Sequence, residues 1–327
     1  MARLSYQIPN FTYPGHTSPG SAPGDIFATV VAQAVEAEAA GFDRIMVMDH
    51  FYQLPGIGEP DEPMLECYTT LAALAQHTTT VRLSALVTGN TYRNPALLAK
   101  TITALDHVSG GRATLGIGAG WFELEHDSLG FEFGTFSDRF EKLEESLQII
   151  VGMLRGEKPT VTGEHYRVTD AVNSPAPLSH IPVMIGGNGE RKTLRLVAQY
   201  ADESNLMGMG AGLDVARKLE VLDEHCDRVG RDRSDIKVTM LVGCAIAPSA
   251  TELDADLQAM ADAKGWGTGV VDMMKDVLIC GDADAVGERL AQLGSSGVDG
   301  LVINLPANGH VPGRVALLGD VADAALG

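Results

Sequence analysis

Short apolar runs alternate along the chain with longer stretches in which apolar residues recur every three or four positions. Eight runs read as strands: Leu4–Ile8, Arg44–Met48, Arg82–Thr88, Ala113–Gly118, Pro182–Ile185, Glu203–Leu206, Lys237–Ala245 and Gly300–Asn304. They scarcely alternate polar with apolar, as expected of parallel strands buried on both faces. Helices are expected between them, over Asp25–Ala40, Met64–His77, Pro95–Val108, Phe136–Leu154, Glu190–Tyr200, Gly212–Val229, Ala283–Leu293 and Pro312–Leu318. Asn94 and Pro95 suit an N-cap and first helical position, while Gly41 and Gly294 suit C-terminal stops. Phe136, Phe140, Leu143, Leu147, Ile150 and Leu154 form a single apolar stripe. Strand and helix in eightfold alternation imply an α/β fold, a (β/α)8 TIM barrel, with a doubly wound sheet as the alternative. No linker or composition break divides the chain, so 1–327 reads as one domain. Two insertions interrupt the alternation. One, at about 158–181 after the fourth strand, contains "TVTGEHYRV", which reads as a hairpin. The other, at about 248–280 after the seventh, contains a helix-like "ATELDADLQAMADAKGWG" and the Gly-rich "GWGTG".

Charge narrows the partners. The 327 residues carry 43 acids against 24 bases, a net charge of -19. Such a surface repels nucleic acid and anionic membrane, and no Lys/Arg cluster reverses this locally. Cys67, Cys226, Cys244 and Cys280 are far apart without a C-x-x-C, so neither a zinc cage nor a disulfide framework is indicated. The N-terminal "MARLSYQIPNFTYPG" lacks the apolar core of a signal peptide, and no run approaches the roughly 18 apolar residues that span a bilayer. A cytoplasmic location is the simplest expectation.

In a barrel, chemistry collects where strands end. The first strand runs into Asn10 and Phe11, and the second ends on Asp49-His50. Successive strand residues point to opposite faces, so only one of that pair need face the mouth unless the strand has already ended. "LVTGNTYRNP" offers Thr88 and Asn90, suited to orienting a heteroaromatic ligand or to starting a helix. In "GIGAGW", Gly118 and Gly120 leave room for a flat ring, with Trp121 as a wall; close strand packing would equally demand them. "IGGNGERKT" brings Gly186, Gly187, Asn188 and Arg191 to a helix start, either a phosphate site or a tight turn with solvated bases. Glu123, Glu125, His126 and Asp127 match no helix-borne metal motif, read as a solvated acidic loop, and no metal is expected.

The residues "VMDHF", "LVTGNTYRNPALLAKTITALDHVSGGRATLGIGAGWFELEH", "FSDRFEKLEESLQII" and "VMIGGNGERKTLRLVAQYADESNL" together resemble the luciferase-like flavin and deazaflavin oxidoreductases over nearly the whole chain. Within these, the sequence is most similar to the branch using coenzyme F420, an 8-hydroxy-5-deazaflavin. The resemblance implies a TIM barrel with the ring across its C-terminal mouth and a non-proline cis peptide, matched here by Leu86-Val87, behind that ring. It implies that Asp49 and His50 lie near the redox centre and that Thr88 and the Gly186-Gly187 loop hold the coenzyme; His50, an imidazole that titrates near neutrality, is then the expected acid/base or substrate-orienting group. The resemblance further implies a small organic substrate and a homodimer. Trp121 stands where the sugar-phosphate dehydrogenases of this group carry a catalytic Glu, which points to a less polar substrate such as an enone, imine or aromatic ring. Arg93, Arg191, Lys192 and Arg314 are candidates to receive the anionic coenzyme tail. Two alternatives remain open: FMN with monooxygenase chemistry, and a non-catalytic flavin-binding barrel.

Overall fold

The computed structural model describes residues 3–15, 25–209 and 213–327. Its centre is a closed ring of eight parallel strands: β1 (Arg3–Ile8), β2 (Arg44–Val47), β3 (Arg82–Ala85), β4 (Ala113–Gly118), β5 (Val183–Gly186), β6 (Glu203–Met207), β7 (Lys237–Ile246) and β8 (Gly300–Asn304). Each pairs with the next, and β8 returns to β1 with Gly300 opposite Arg3. The barrel expected from the sequence is therefore the observed fold, and the doubly wound sheet is excluded.

Period-two geometry sorts each strand into two faces. On β2, Ile45 and Val47 join the main core between strands and helices, while Met46 packs with Leu86, Met184, Leu241 and Val302 in a separate cluster that fills the barrel. At the N-terminal ends lies a polar floor. Arg44 donates to both carboxylate oxygens of Glu203 (2.9 and 2.7 Å) and to Ser5 Oγ (3.2 Å), and Thr239 also donates to Glu203 (2.7 Å). Burial alone would lower the Arg44 pKa, but the Glu203 carboxylate more than reverses this.

Several helix boundaries follow their caps. Asn94 Oδ1 accepts from the Ala96 and Leu97 amides to start Pro95–Ser109, which ends at Gly110 in the left-handed region. Thr135 and Asp138 form a reciprocal capping box at the head of Phe136–Leu154. The stripe on that helix buries Leu143, Leu147 and Ile150, but Phe136 extends past the core and is exposed, packing on Phe140. The helix expected from Met64 instead begins at Cys67, because Glu66 caps it by accepting from the Thr69 amide. The helix expected from Glu190 begins at Thr193 after a turn, so Arg191 and Lys192 precede it. The final helix runs further than expected, from Arg314 to Leu326. The Gly212 helix start lies outside the described residues; that helix is Val215–Val229.

Both interruptions have structure of their own. Val161–Thr162 and Arg167–Val168 pair antiparallel as the expected hairpin. The later one holds Ala250–Ala263, a second helix Val270–Val277 that the sequence reading missed, and a strand Ile279–Gly281 that pairs parallel with β7.

Candidate active site at the C-terminal mouth

β2 ends at Val47, so strand alternation does not constrain Asp49 and His50. The two side chains take different roles. Asp49 is buried and accepts from both terminal nitrogens of Arg93, which also reaches Glu66 (2.8 Å) and lies over the Tyr68 ring. Burial pushes the Asp49 carboxyl above its ordinary value, against the opposing pull of Arg93. Burial alone would lower Arg93, and Asp49 more than reverses that. Asp49 thus ties the end of β2 to the loop before Pro95. Arg93 is committed to two carboxylates and is removed from the candidates for the coenzyme tail. Arg314 is removed likewise, paired with Asp256 (2.7 Å) and Glu252 (3.1 Å).

His50 has the partner that the sequence reading missed. Its Nδ1 lies 2.9 Å from Glu125 Oε2. Glu125 was expected in a solvated acidic loop; it sits instead on a short helix, Glu123–Leu129, and is fully buried. It also accepts from the Phe51 and Tyr52 amides and from the Tyr92 hydroxyl. Burial alone would raise the Glu125 carboxyl, and these hydrogen bonds, His50 first, bring it below its ordinary value of 4.5. An ionised Glu125 accepts the Nδ1 proton, which makes Nε2 the nitrogen that can exchange a proton. His126, from the same acidic stretch, is buried too, with Nδ1 on the Phe122 carbonyl (2.8 Å) and Nε2 on Thr91 Oγ1 (2.7 Å). Both residues are occupied by protein partners, which corrects the loop reading; the acids recur every second residue, which gave no signal of a helix or of burial.

Because the Glu125 pKa is depressed on folding, its contribution to stability is present above about pH 4.5 and is lost as pH falls through the folded value. Glu125→Gln puts an amide against backbone donors, so it should cost about 1–3 kcal/mol at pH 7. The deficit relative to the native chain should shrink at pH 4. Urea titrations at the two pH values test this, and a pH-independent deficit would count against an ionised Glu125.

His50 faces a cavity of about 250 Å3 lined also by Asp49, Leu86, Val87, Thr88, Gly120, Trp121, Gly186 and Gly187. The structure thus brings nine of the candidate residues to one place. The peptide between Leu86 and Val87 is cis, as the resemblance implied, and β3 resumes at Thr88–Gly89. Thr88 is hydrogen-bonded to the Tyr68 hydroxyl. Gly118 takes the close-packing alternative and does not leave room for the ring. A Cβ there would come within 2.9 Å of Val87 Cγ2, and one at Gly186 within 2.9 Å of Val87 Cγ1. The space they leave is filled by Val87, which is wedged between β4 and β5. Gly187 has φ +131°, a conformation L residues rarely adopt.

Other candidates fall outside the cavity. Asn90 is buried, with Nδ2 donating to the Gly118 and Ala119 carbonyls, so it clamps the end of β4. Asn188 bonds both ways with the Met207 backbone (3.0 and 2.8 Å) and ties the loops after β5 and β6. Arg191 is exposed in the turn before Thr193. Phe11 is packed in the core and Asn10 donates to the Pro306 carbonyl (2.7 Å), because the chain after β1 turns inward; neither lines the cavity. Asn304, not singled out from the sequence, does line it. Its Nδ2 donates to Gln7 (2.8 Å), which leaves Oδ1 buried with no partner among the described residues.

The sequence profile of the luciferase-like monooxygenases matches residues 8–300. The chain belongs to the luciferase-like monooxygenase family. An F420-dependent glucose-6-phosphate dehydrogenase from Segniliparus rotundus is 31% identical over 214 residues, 63% of this chain and 61% of that protein. The match to these dehydrogenases therefore spans less than two thirds of their length. A 5,10-methylenetetrahydromethanopterin reductase from Methanolobus tindarius is 27% identical over 91% of this chain and 96% of its own. Among solved structures, an F420-dependent secondary alcohol dehydrogenase in complex with an F420-acetone adduct superimposes with a TM-score of 0.79, at 20% identity and 99% coverage of both chains. This likeness places the luciferase-like chain in the same fold.

Proposed function

We propose that the protein is an F420-dependent oxidoreductase in which the His50–Glu125 pair handles the proton that accompanies hydride transfer. The observation that carries this reading is the buried carboxylate on Nδ1 of a histidine whose ring lines the cavity. The residues present fit a deazaflavin. The cis Leu86-Val87 segment and Met48 offer apolar surface, Gly186 and Gly187 add no side chains, and the unpaired Asn304 Oδ1 can accept from a ring N–H. Relatives named for F420 support the same coenzyme. When bound, the deazaflavin supplies or accepts a hydride at C5. His50 Nε2 gives a proton to the substrate heteroatom as hydride arrives at its carbon, or takes that proton in the oxidative direction. Glu125 holds the imidazole in place and fixes its tautomer. Arg93 and Asp49 hold the β2 end from which His50 projects. Trp121, stacked on Phe122 with ring centroids 5.1 Å apart, stands beside His50 and shields it from water.

A homodimer and a cytoplasmic location accompany this reading. Among the described residues, no helix is long and apolar enough to cross a membrane. Parallel fluorescence titrations with F420 and FMN test the coenzyme. F420 should bind in the micromolar range or tighter, with FMN at least about tenfold weaker, a difference of ~1.4 kcal/mol. Tight FMN binding without F420 binding would overturn the assignment.

A further inference from the structure

A second cavity, of about 690 Å3, opens beside the first and shares Ile57, Met209 and Asn304 with it. That volume suits a whole small-molecule ligand. Its walls are the loop 55–60, Phe122 and Leu124 after β4, and the later interruption, whose two helices contribute Met260, Val270, Met274 and Val277 and whose connecting turn contributes Trp266. Among the described residues no Lys or Arg lines either cavity, and Glu59 is the single charged residue lining the larger one. A phosphorylated sugar therefore meets no counter-charge. The methionines add adaptable, polarisable surface. Met273 and Val277 on this wall are each 56% exposed, and Leu124 is also exposed, an apolar grouping that water alone leaves unsatisfied.

The walls are strapped together. Lys264, at the end of Ala250–Ala263, is buried against Glu62, and Glu62 also accepts from Thr12 Oγ1 (2.6 Å) and from the Glu59 amide (3.0 Å). The strap joins the helical insertion to the loop after β2 beside the cavity. None of residues 186–193 contributes to the larger cavity, so it is not the route towards the Gly-rich turn.

We propose that this cavity holds the apolar body of the substrate, a bulky alkyl or fused-ring group whose carbonyl or enone carbon reaches the smaller cavity beside His50. Asn304, at the junction, is the polar group that the substrate passes. This rests on the oxidoreductase reading and adds the substrate class to it.

The test is calorimetric titration of the protein with 2-alkanones from butanone to dodecanone, with glucose 6-phosphate as comparator, with and without F420. Affinity should rise about fourfold per added methylene until the cavity is full. Met273→Lys and Val277→Lys, both at exposed positions and each checked for an unchanged Tm, should weaken decanone binding at least tenfold while F420 binding stays as in the native chain. Affinity independent of chain length, glucose 6-phosphate binding tighter than decanone, or decanone binding untouched by both Lys variants would each overturn the proposal. Chain-length dependence without F420 binding would sink the coenzyme assignment and leave the apolar cavity standing.

Discussion

His50→Ala lowers turnover by about 10²-fold or more while the coenzyme binds as tightly as before. The expectation follows from position and from partner. The ring lines the cavity edge-to-face with Trp121, with Nδ1 held by Glu125 at 2.9 Å. A hydride delivered to a carbonyl or enone leaves an oxyanion that must take up a proton, and a positioned imidazole supplies it without waiting for solvent. Removing the ring leaves Glu125 with its backbone amide and Tyr92 donors, so the site keeps its scaffold. Loss of turnover should therefore come without loss of the fold. His50→Gln can hydrogen-bond but cannot cycle a proton, and it should fall almost as far as alanine. Stopped-flow measurement of hydride transfer, with F420 affinity from fluorescence quenching, separates the alternatives. Near-normal rates in both variants would remove His50 from proton transfer.

Glu203→Ala destabilises the protein by about 3–5 kcal/mol, because it leaves the buried Arg44 guanidinium without its carboxylate. That is roughly two to four powers of ten in the unfolding equilibrium. Arg44 and Glu203 are both almost fully buried at the barrel floor, joined by a two-pronged hydrogen bond of 2.9 and 2.7 Å. Thr239 and Ser5 complete the cluster, so truncation strands several polar groups at once. Replacing both partners by apolar residues of similar volume, Arg44→Met with Glu203→Leu, should recover most of the loss. Urea denaturation of the single and double variants measures this. A single-variant loss below about 1 kcal/mol would show that water relieves the stranded charge. The floor lies at the strand N-termini and none of Ser5, Arg44, Glu203 and Thr239 lines the cavity, so coenzyme affinity of the folded variants should be unchanged.

The barrel was legible in the residues because its signals are local. Strands buried on both faces must be apolar at successive positions, and Ile45, Met46 and Val47 satisfy that requirement within their own run. Caps such as Asn94 act within one turn, so helix starts that depend on them can be read from a few letters. A helix start also moves when a later residue supplies the cap, as Glu66 does for Cys67–Leu74 with one carboxylate oxygen while the other binds Arg93. The Asp49-His50 pair stood out because it follows an apolar strand directly.

Glu125 was hidden because burial is not a local property. In the letters "ELEHD" it is one acid among several, and it lies 75 positions from the histidine it serves. Only the docking of Glu123–Leu129 against the end of β2 turns one acid inward and leaves Glu123 exposed. Arg44 and Glu203 are 159 positions apart and meet only once the barrel closes. Gly118 read equally as room for a ring or as close strand packing, and the closed sheet decides for packing by filling the space beside Gly118 and Gly186 with Val87. The order of strands and helices could be written from the chain, since each element's hydrophobic period lies within its own residues. Which charges are paired, which polar atoms are left over and where the cavity lies depend on contacts between distant strand ends, and closure of the barrel sets those contacts.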